Sequence, residues 1–185
     1  YRGRVLDSLQ PRVHPHGKPA YLPPEVDFRA GCVESREDLA AALEGVDAVF
    51  HLAAYQDYMP DFSAFLHVNA ESTALLYELI VERRLPVRKV VVASSQAVAG
   101  EGKYECPGHG AVYPGPRPLD QLERGDWEVK CPDCGADLKA LLIDESVARP
   151  HTAYGISKLA TELLALNLGR RYGVPSVSMR YTYVQ

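Results

Sequence analysis

No stretch of the chain approaches the roughly 20 consecutive apolar residues that a membrane-spanning helix requires. Its opening residues do not read as a signal peptide. Membrane association through a helix is therefore not expected, and a cytoplasmic setting is. Positive charge is also in short supply. With 20 Lys and Arg against 24 Asp and Glu, the net charge is −4, which leaves no basic footprint for nucleic acid. Cysteine is sparse, four in 185 residues, and two of the four stand in Cys-x-x-Cys spacing. That pattern fits metal binding in a reducing compartment better than a disulfide framework. No internal repeat is visible. What remains is 46% hydrophobic and 24% charged, the composition of a globular protein with one sizeable core.

The most telling stretch is His151-Thr-Ala-Tyr154-Gly-Ile-Ser-Lys158. A tyrosine and a lysine four apart on a helix share one face. Ile156, Leu159, Ala160 and Leu163 are expected to point the other way, into a core. A fixed ammonium beside a phenol favours the phenolate. Such a pair can exchange a proton with a substrate hydroxyl near neutral pH. Without its surroundings, the pair would read more readily as a packed tyrosine beside a solvated lysine.

The surroundings alternate strand and helix. Arg4–Asp7 reads as a strand with its acid at the tip, followed by a Pro-, His- and Gly-rich loop through Pro24. Residues 26–30 read as a second strand. Ser35 caps a short helix that Gly45 stops. Residues 47–54 form a strand that runs into a small-residue turn, and residues 62–83 form a helix. The Val-rich run 87–93, ending at Ser94 and Ser95, has the pattern of a strand buried in a parallel sheet. A helix from Tyr154 to about Arg171 and a strand over 176–181 complete the series. The order predicts an α/β fold: a Rossmann-like, doubly wound parallel sheet, present in part. Its first part spans residues 1–99 and its continuation residues 146–185.

Residues 100–145 break this pattern. The segment is rich in Pro and Gly and holds three of the four cysteines, and a loop this long needs a function or a staple. Cys106-Pro-Gly-His109-Gly and Cys131-Pro-Asp-Cys134-Gly form two knuckles, each with ligands three apart and a glycine after the second. Cys106, His109, Cys131 and Cys134 are expected to close a tetrahedron around a structural zinc, making a zinc-ribbon-like insert. The alternatives are a Cys131–Cys134 disulfide or four unrelated residues of a polar loop.

Taken together, Val5-Leu-Asp7, His51-Leu-Ala-Ala54, Val68-Asn69, Ser94-Ser95-Gln-Ala-Val-Ala-Gly100, Tyr154-Gly-Ile-Ser-Lys158 and Arg180-Tyr181 resemble the NAD-dependent epimerase/dehydratase family. This is the extended short-chain dehydrogenase/reductase group acting on nucleotide sugars. The resemblance implies a nucleotide-sugar substrate, NAD as cofactor, and epimerisation at C4 of a hexose or 6-deoxyhexose through transient oxidation. It implies Tyr154 as base, with Lys158 holding the phenolate charge and the nicotinamide ribose, and Ser95 orienting the reacting oxygen. Asp7 would bind the adenosine ribose. Leu52, Ala53 and Ala54 would let the backbone approach the dinucleotide, Asn69 would support the site, and Tyr181 would lie near the nicotinamide. A homodimer is implied for the full-length parent.

The sequence departs from the family in four places. Cys32 stands where an Asp usually meets the adenine amino group, although Val33 keeps a backbone contact available. Ala99 replaces a frequent tyrosine, and Tyr183 stands near a frequent asparagine. Gln96 and Ala97 replace the Asp-Glu common in dehydratases, which favours an epimerase or reductase. The family's glycine-rich phosphate turn would lie upstream of Tyr1 and its substrate-binding part beyond Gln185. The chain is therefore expected to be an internal fragment, inactive by itself. A reading from another class stays open: a non-catalytic sheet domain whose insert binds a partner.

Overall fold

The computed structural model describes residues 2–182; Tyr183 lies outside them. Strand β1 (Arg4–Asp7) pairs in parallel with β2 (Asp27–Ala30). Helix α1 (Arg36–Leu43) follows, its first turn closed by Ser35, whose side chain accepts the Asp38 backbone N–H. Strand β3 (Ala48–His51) leads into α2 (Phe62–Phe65), which continues through a π-helical segment at Leu66–Glu71 into α3 (Ser72–Glu82). Strand β4 (Lys89–Ser95) ends in a 3-10 turn at Gln96–Ala99. The insert contributes β5 (Lys103–Cys106), β6 (Gly110–Val112), α4 (Leu119–Glu123) and β7 (Lys139–Leu141). Helix α5 (Ala153–Tyr172) and β8 (Ser176–Tyr181) close the series.

Strands β3, β4 and β8 form a parallel sheet in that order, with β4 central. Parallel strands need crossovers, and here α2–α3 and the insert with α5 supply them. The pair β1–β2 is a separate sheet, without hydrogen bonds to β3. Val90 and Val92 of β4, Leu76, Leu79 and Ile80 of α3, Leu39 and Leu43 of α1, and Ala165 of α5 share one core. Because α1 touches α3 and α3 touches α5, these helices form one layer over one sheet face. The opposite face carries Phe50 of β3, 69% exposed, and, across β4, a half-exposed Met179 of β8. A second helical layer, which double winding requires, is not among the described residues.

The expected burial of α5 is overturned. Ile156 and Leu163 are 49% and 51% exposed, and Leu159 and Ala160 are only partly buried. The buried face carries Gly155, Ser157, Lys158, Thr161, Glu162, Ala165 and Gly169. Close approach explains the choice. A Cβ on Gly155 would lie 2.7 Å from the Ala97 carbonyl oxygen, and one on Gly169 would collide with Ser176 and the Val174 carbonyl. Small residues let the helix sit against the chain, and the buried α5 hydroxyls of Ser157 and Thr161 each find a partner. Thr161 Oγ1 donates 2.7 Å to the Asn69 carbonyl.

The insert forms its own antiparallel sheet, ordered β6-β5-β7. Its two ends meet at a pinch. Arg149 N–H donates 2.9 Å to the Val98 carbonyl, and Gly100, at φ +67°, leaves no room for a Cβ against the Arg149 carbonyl. Just beyond the pinch, the Arg149 guanidinium lies 4.5 Å from the Tyr113 ring centroid.

Candidate active site

The residues singled out from the sequence gather at the C-terminal ends of the parallel strands. Asp7 ends β1, Cys32 and Val33 follow β2, Leu52–Ala54 follow β3, Ser95 ends β4, and Tyr181 ends β8. Open parallel sheets bind their ligands outside these ends. Asp7 Oδ1 accepts the Leu9 N–H at 2.7 Å and lies 3.6 Å from His14 Nε2. Val33 is buried. The Cys32 backbone N–H donates 3.0 Å to Asp38 Oδ2. Partial desolvation, and then Glu34 and Asp38, push the Cys32 thiol up and hold it neutral. Leu52 and Ala54 are exposed and Ala53 is half-buried; Tyr181 is 43% exposed.

Tyr154 and Lys158 are placed where α5 packs against β4. Thr152 caps α5 by accepting the Gly155 N–H at 3.0 Å, which sets Tyr154 in the first turn. The Tyr154 ring lies edge-on to Phe65, with centroids 6.3 Å apart. Lys158 sits one turn on. Its ammonium is 5.8 Å from the Tyr154 ring centroid and donates 2.8 Å to the Ala93 carbonyl. Burial lowers its pKa to about 8, so it stays charged at neutral pH but gives up its proton more readily than a surface lysine. Ser95, buried at the β4 tip, caps the following turn by accepting the Ala97 N–H at 3.1 Å. Gln96 beside it is exposed.

Asn69 ties the two halves together from the π-helical segment. Its Oδ1 accepts the Tyr55 N–H at 2.7 Å, while Nδ2 donates to Tyr55 O at 3.1 Å and Ser157 Oγ at 2.9 Å. Shifting the ladder by one residue turns the Asn69 carbonyl toward Thr73 and Thr161, which both donate to it. The sequence pattern gave no sign of this segment, because its apolar spacing is that of an ordinary helix.

Two further buried groups make contacts that the sequence did not indicate. His51 Nε2 lies 2.9 Å from Ser72 Oγ, and that hydroxyl is committed as donor to the Val68 carbonyl. The imidazole is therefore the donor, with its proton on Nε2. Burial, and then the charge of Lys158, lower its pKa to about 4, so it is neutral. Glu162 accepts both arms of Arg180, at 3.0 and 2.7 Å. Burial works to raise the carboxyl, but Arg180 holds it below its usual range. Arg180 also donates 2.9 Å to the Val147 carbonyl, tying the end of the insert to the sheet.

At the far end of the insert, Cys106, His109, Cys131 and Cys134 bring their ligand atoms within 4.8 Å of one another. All the cysteines are free.

Comparison with known proteins adds to this geometry. The model of the NAD dependent epimerase/dehydratase family matches residues 4–118. A curated relative, the dTDP-L-rhamnose 4-epimerase of Burkholderia thailandensis, is 29% identical over 164 residues, which is 85% of this chain and 44% of that protein. The chain thus spans under half the length of that relative. Among solved structures, a dTDP-glucose 4,6-dehydratase double mutant from Streptomyces venezuelae, with NAD bound, superposes with a TM-score of 0.66 at 24% identity, covering 97% of this chain and 45% of that one. A UDP-glucose 4-epimerase from Thermotoga maritima does so with a TM-score of 0.65 at 21% identity, covering 98% and 47%. These structures share the Rossmann-like α/β fold.

Proposed function

The chain belongs to the NAD-dependent epimerase/dehydratase family, a family of enzymes, and from that premise we propose that it forms the cofactor-binding and proton-transfer part of a nucleotide-sugar 4-epimerase. The observation that carries this reading is the buried Lys158 ammonium, held on the Ala93 carbonyl of the strand that ends in Ser95 and one turn from Tyr154. Nothing in packing requires a charge there, and burying one is costly.

The residues present suit a dinucleotide. Leu9 N–H and His14 both converge on Asp7 Oδ1, which leaves Oδ2 for ribose hydroxyls. Ala53 and Ala54 keep the β3 tip low. When bound, NAD would accept the hydride from the sugar carbon and return it to the other face. Tyr154 Oη takes the hydroxyl proton from the same carbon and later gives it back. Lys158 stabilises the phenolate charge and reaches the nicotinamide ribose, and Ser95 Oγ orients the reacting oxygen. Asn69, Tyr55 and Ser157 hold α5 in position.

A dehydratase needs an acid and a base beside the tyrosine, and Gln96 and Ala97 supply neither. The rest of the nucleotide-sugar site, including the glycine turn, is assigned to parts of the parent protein outside this chain. The open edges of β1 and β3 favour a further strand between them. A homodimer is favoured by the exposed Phe62, Leu66, Ile156, Leu163 and Leu166, and a cytoplasmic setting by the four free cysteines.

The test is an NMR assay of the parent enzyme with NAD and a panel of dTDP- and UDP-hexoses. Inversion at C4 without net accumulation of reduced cofactor is expected. Tyr154→Phe should lower the rate by about 10²–10⁴-fold while NAD affinity by calorimetry stays nearly unchanged. Net oxidation, loss of water, or a Tyr154→Phe enzyme of near-normal rate would remove the reading.

A further inference from the structure

The insert plays no part in the chemistry above, yet it holds the most specific side-chain cluster outside the active site. Cys106 Sγ lies 3.5 Å from His109 Nδ1 and 3.6 Å from Cys134 Sγ, and Cys131 Sγ lies 3.5 Å from the same His109 nitrogen. A disulfide would bring two sulfurs to about 2.05 Å, and no pair here does so. Hydrogen bonding among thiols accounts poorly for four ligand atoms converging on one point. A tetrahedral zinc accounts for it well. Zn–S and Zn–N bonds of about 2.3 and 2.0–2.1 Å place sulfurs about 3.8 Å apart, and a sulfur and a nitrogen about 3.6 Å apart.

The backbone is shaped for the same purpose. Gly110 and Gly135, each following the second ligand of its knuckle, both adopt the left-handed conformation, at φ +69° and +71°. In the second knuckle, Cys131 N–H donates 2.8 Å to Ala136 O and Gly135 N–H donates 2.9 Å to Cys131 O. That tight turn aims Cys131 and Cys134 to one side. The backbone N–H groups of Gly108 and His109 face the Cys106 sulfur in the first knuckle. Two turns of the same design, 25 residues apart by the spacing of Cys106 and Cys131, thus meet face to face.

Packing supplies a reason for a metal. The insert's own core consists of Cys106, Val112 and Cys131, with Tyr104 and Leu138 against it. Two of its three buried residues are ligands. So small a core does not hold three short strands without a staple.

We propose that Cys106, His109, Cys131 and Cys134 bind one zinc ion, His109 through Nδ1, as a closed structural site. Four protein ligands leave no position for water or substrate, so the ion holds the insert's sheet together and takes no part in proton or hydride transfer. The site lies in the crossover from Ser95 to Tyr154, and the pinch at Val98, Gly100 and Arg149 separates it from both.

The experiment is elemental analysis of the full protein, purified under reducing conditions without chelator. About one zinc per chain is expected, with cobalt substitution giving the visible spectrum of tetrahedral thiolate ligation. Cys131→Ser should lose the metal. His109→Cys should keep it, because a four-cysteine set also binds zinc, and Cys32→Ser should keep it as well. Those two variants protect the test if Cys131→Ser fails to fold. Protein that contains no zinc and takes none up when reduced, that carries iron instead, or that loses zinc on Cys32→Ser would overturn the proposal. None of these readouts depends on sugar turnover, so a failed activity assay and a failed metal site remain separate results.

Discussion

The sheet of β3, β4 and β8 and the sheet of β5, β6 and β7 solve the same problem in opposite ways. The first buries Leu76, Leu79, Val90 and Val92 almost completely between helix and strand. It holds its shape through area removed from water. The second buries Val112 and two cysteines, and directs its ligands inward instead. The parallel sheet therefore tolerates polar groups in its helix interface, such as Ser157, Thr161 and Lys158. The insert has no such reserve, and under the zinc proposal its order depends on four side chains acting together.

The widest separation between the regions should come from chelation. Zinc binding to small sites contributes about 10–16 kcal/mol in apparent terms. Removing the ion should abolish amide protection across 103–141 by hydrogen exchange, while α3 and β4 stay protected. Equal loss in both would show one cooperative unit.

The converse substitution is Leu76→Ala. The residue is fully buried at 0% exposure, and truncation should cost about 2–5 kcal/mol by denaturant unfolding, with zinc content unchanged.

A third difference is pH. His51 is neutral in the fold, with a pKa near 4 against the ordinary 6.5. The unfolded chain binds the extra proton first, so this contribution to stability is full above pH 6.5 and is lost as pH falls toward 4. The loss should reach about 3 kcal/mol at most. It should be absent in His51→Gln and should leave the wild-type insert's protection unaffected above pH 5. A pH profile of equal slope in both proteins would remove His51 as the cause.

The smallest effect sharpens the knuckle geometry. Gly135→Ala meets no neighbouring atom, so only its left-handed backbone opposes it, at about 1–2 kcal/mol. That predicts roughly tenfold weaker zinc affinity in a chelator competition. An unchanged affinity would mean that the turn is not strained by a side chain.

The succession of strands along the chain and the residues at their tips were legible because each is local: β-branched runs, an acid or a pair of alanines at a strand end, a serine cap. The knuckles were legible from spacing alone. The burial of α5 was not. Apolar Ile156 and Leu163 face outward because the inner face needs smallness, and periodicity of hydrophobic residues cannot report that. The contacts of Asn69 with α5, the His51–Ser72 contact and the Glu162–Arg180 pair join residues remote in sequence. No spacing rule finds such contacts. The separation of β1–β2 from β3 lies in what is not paired, which a list of strands does not show.

The pinch where Arg149 meets Val98 and Gly100 has a consequence for how this protein can vary. The excursion from Gly100 to Arg149 leaves and returns at one point, so its closure is set at its root whatever lies beyond. Chain entropy makes even a doubling of such a loop cost only about 0.6 kcal/mol. Relatives could therefore carry a longer module, a shorter one or a bare turn at this point while Ser95 and Tyr154 keep their places. The crossover is a graft site, where new sequence can be added and tried without moving Ser95 and Tyr154, the residues proposed to meet the substrate.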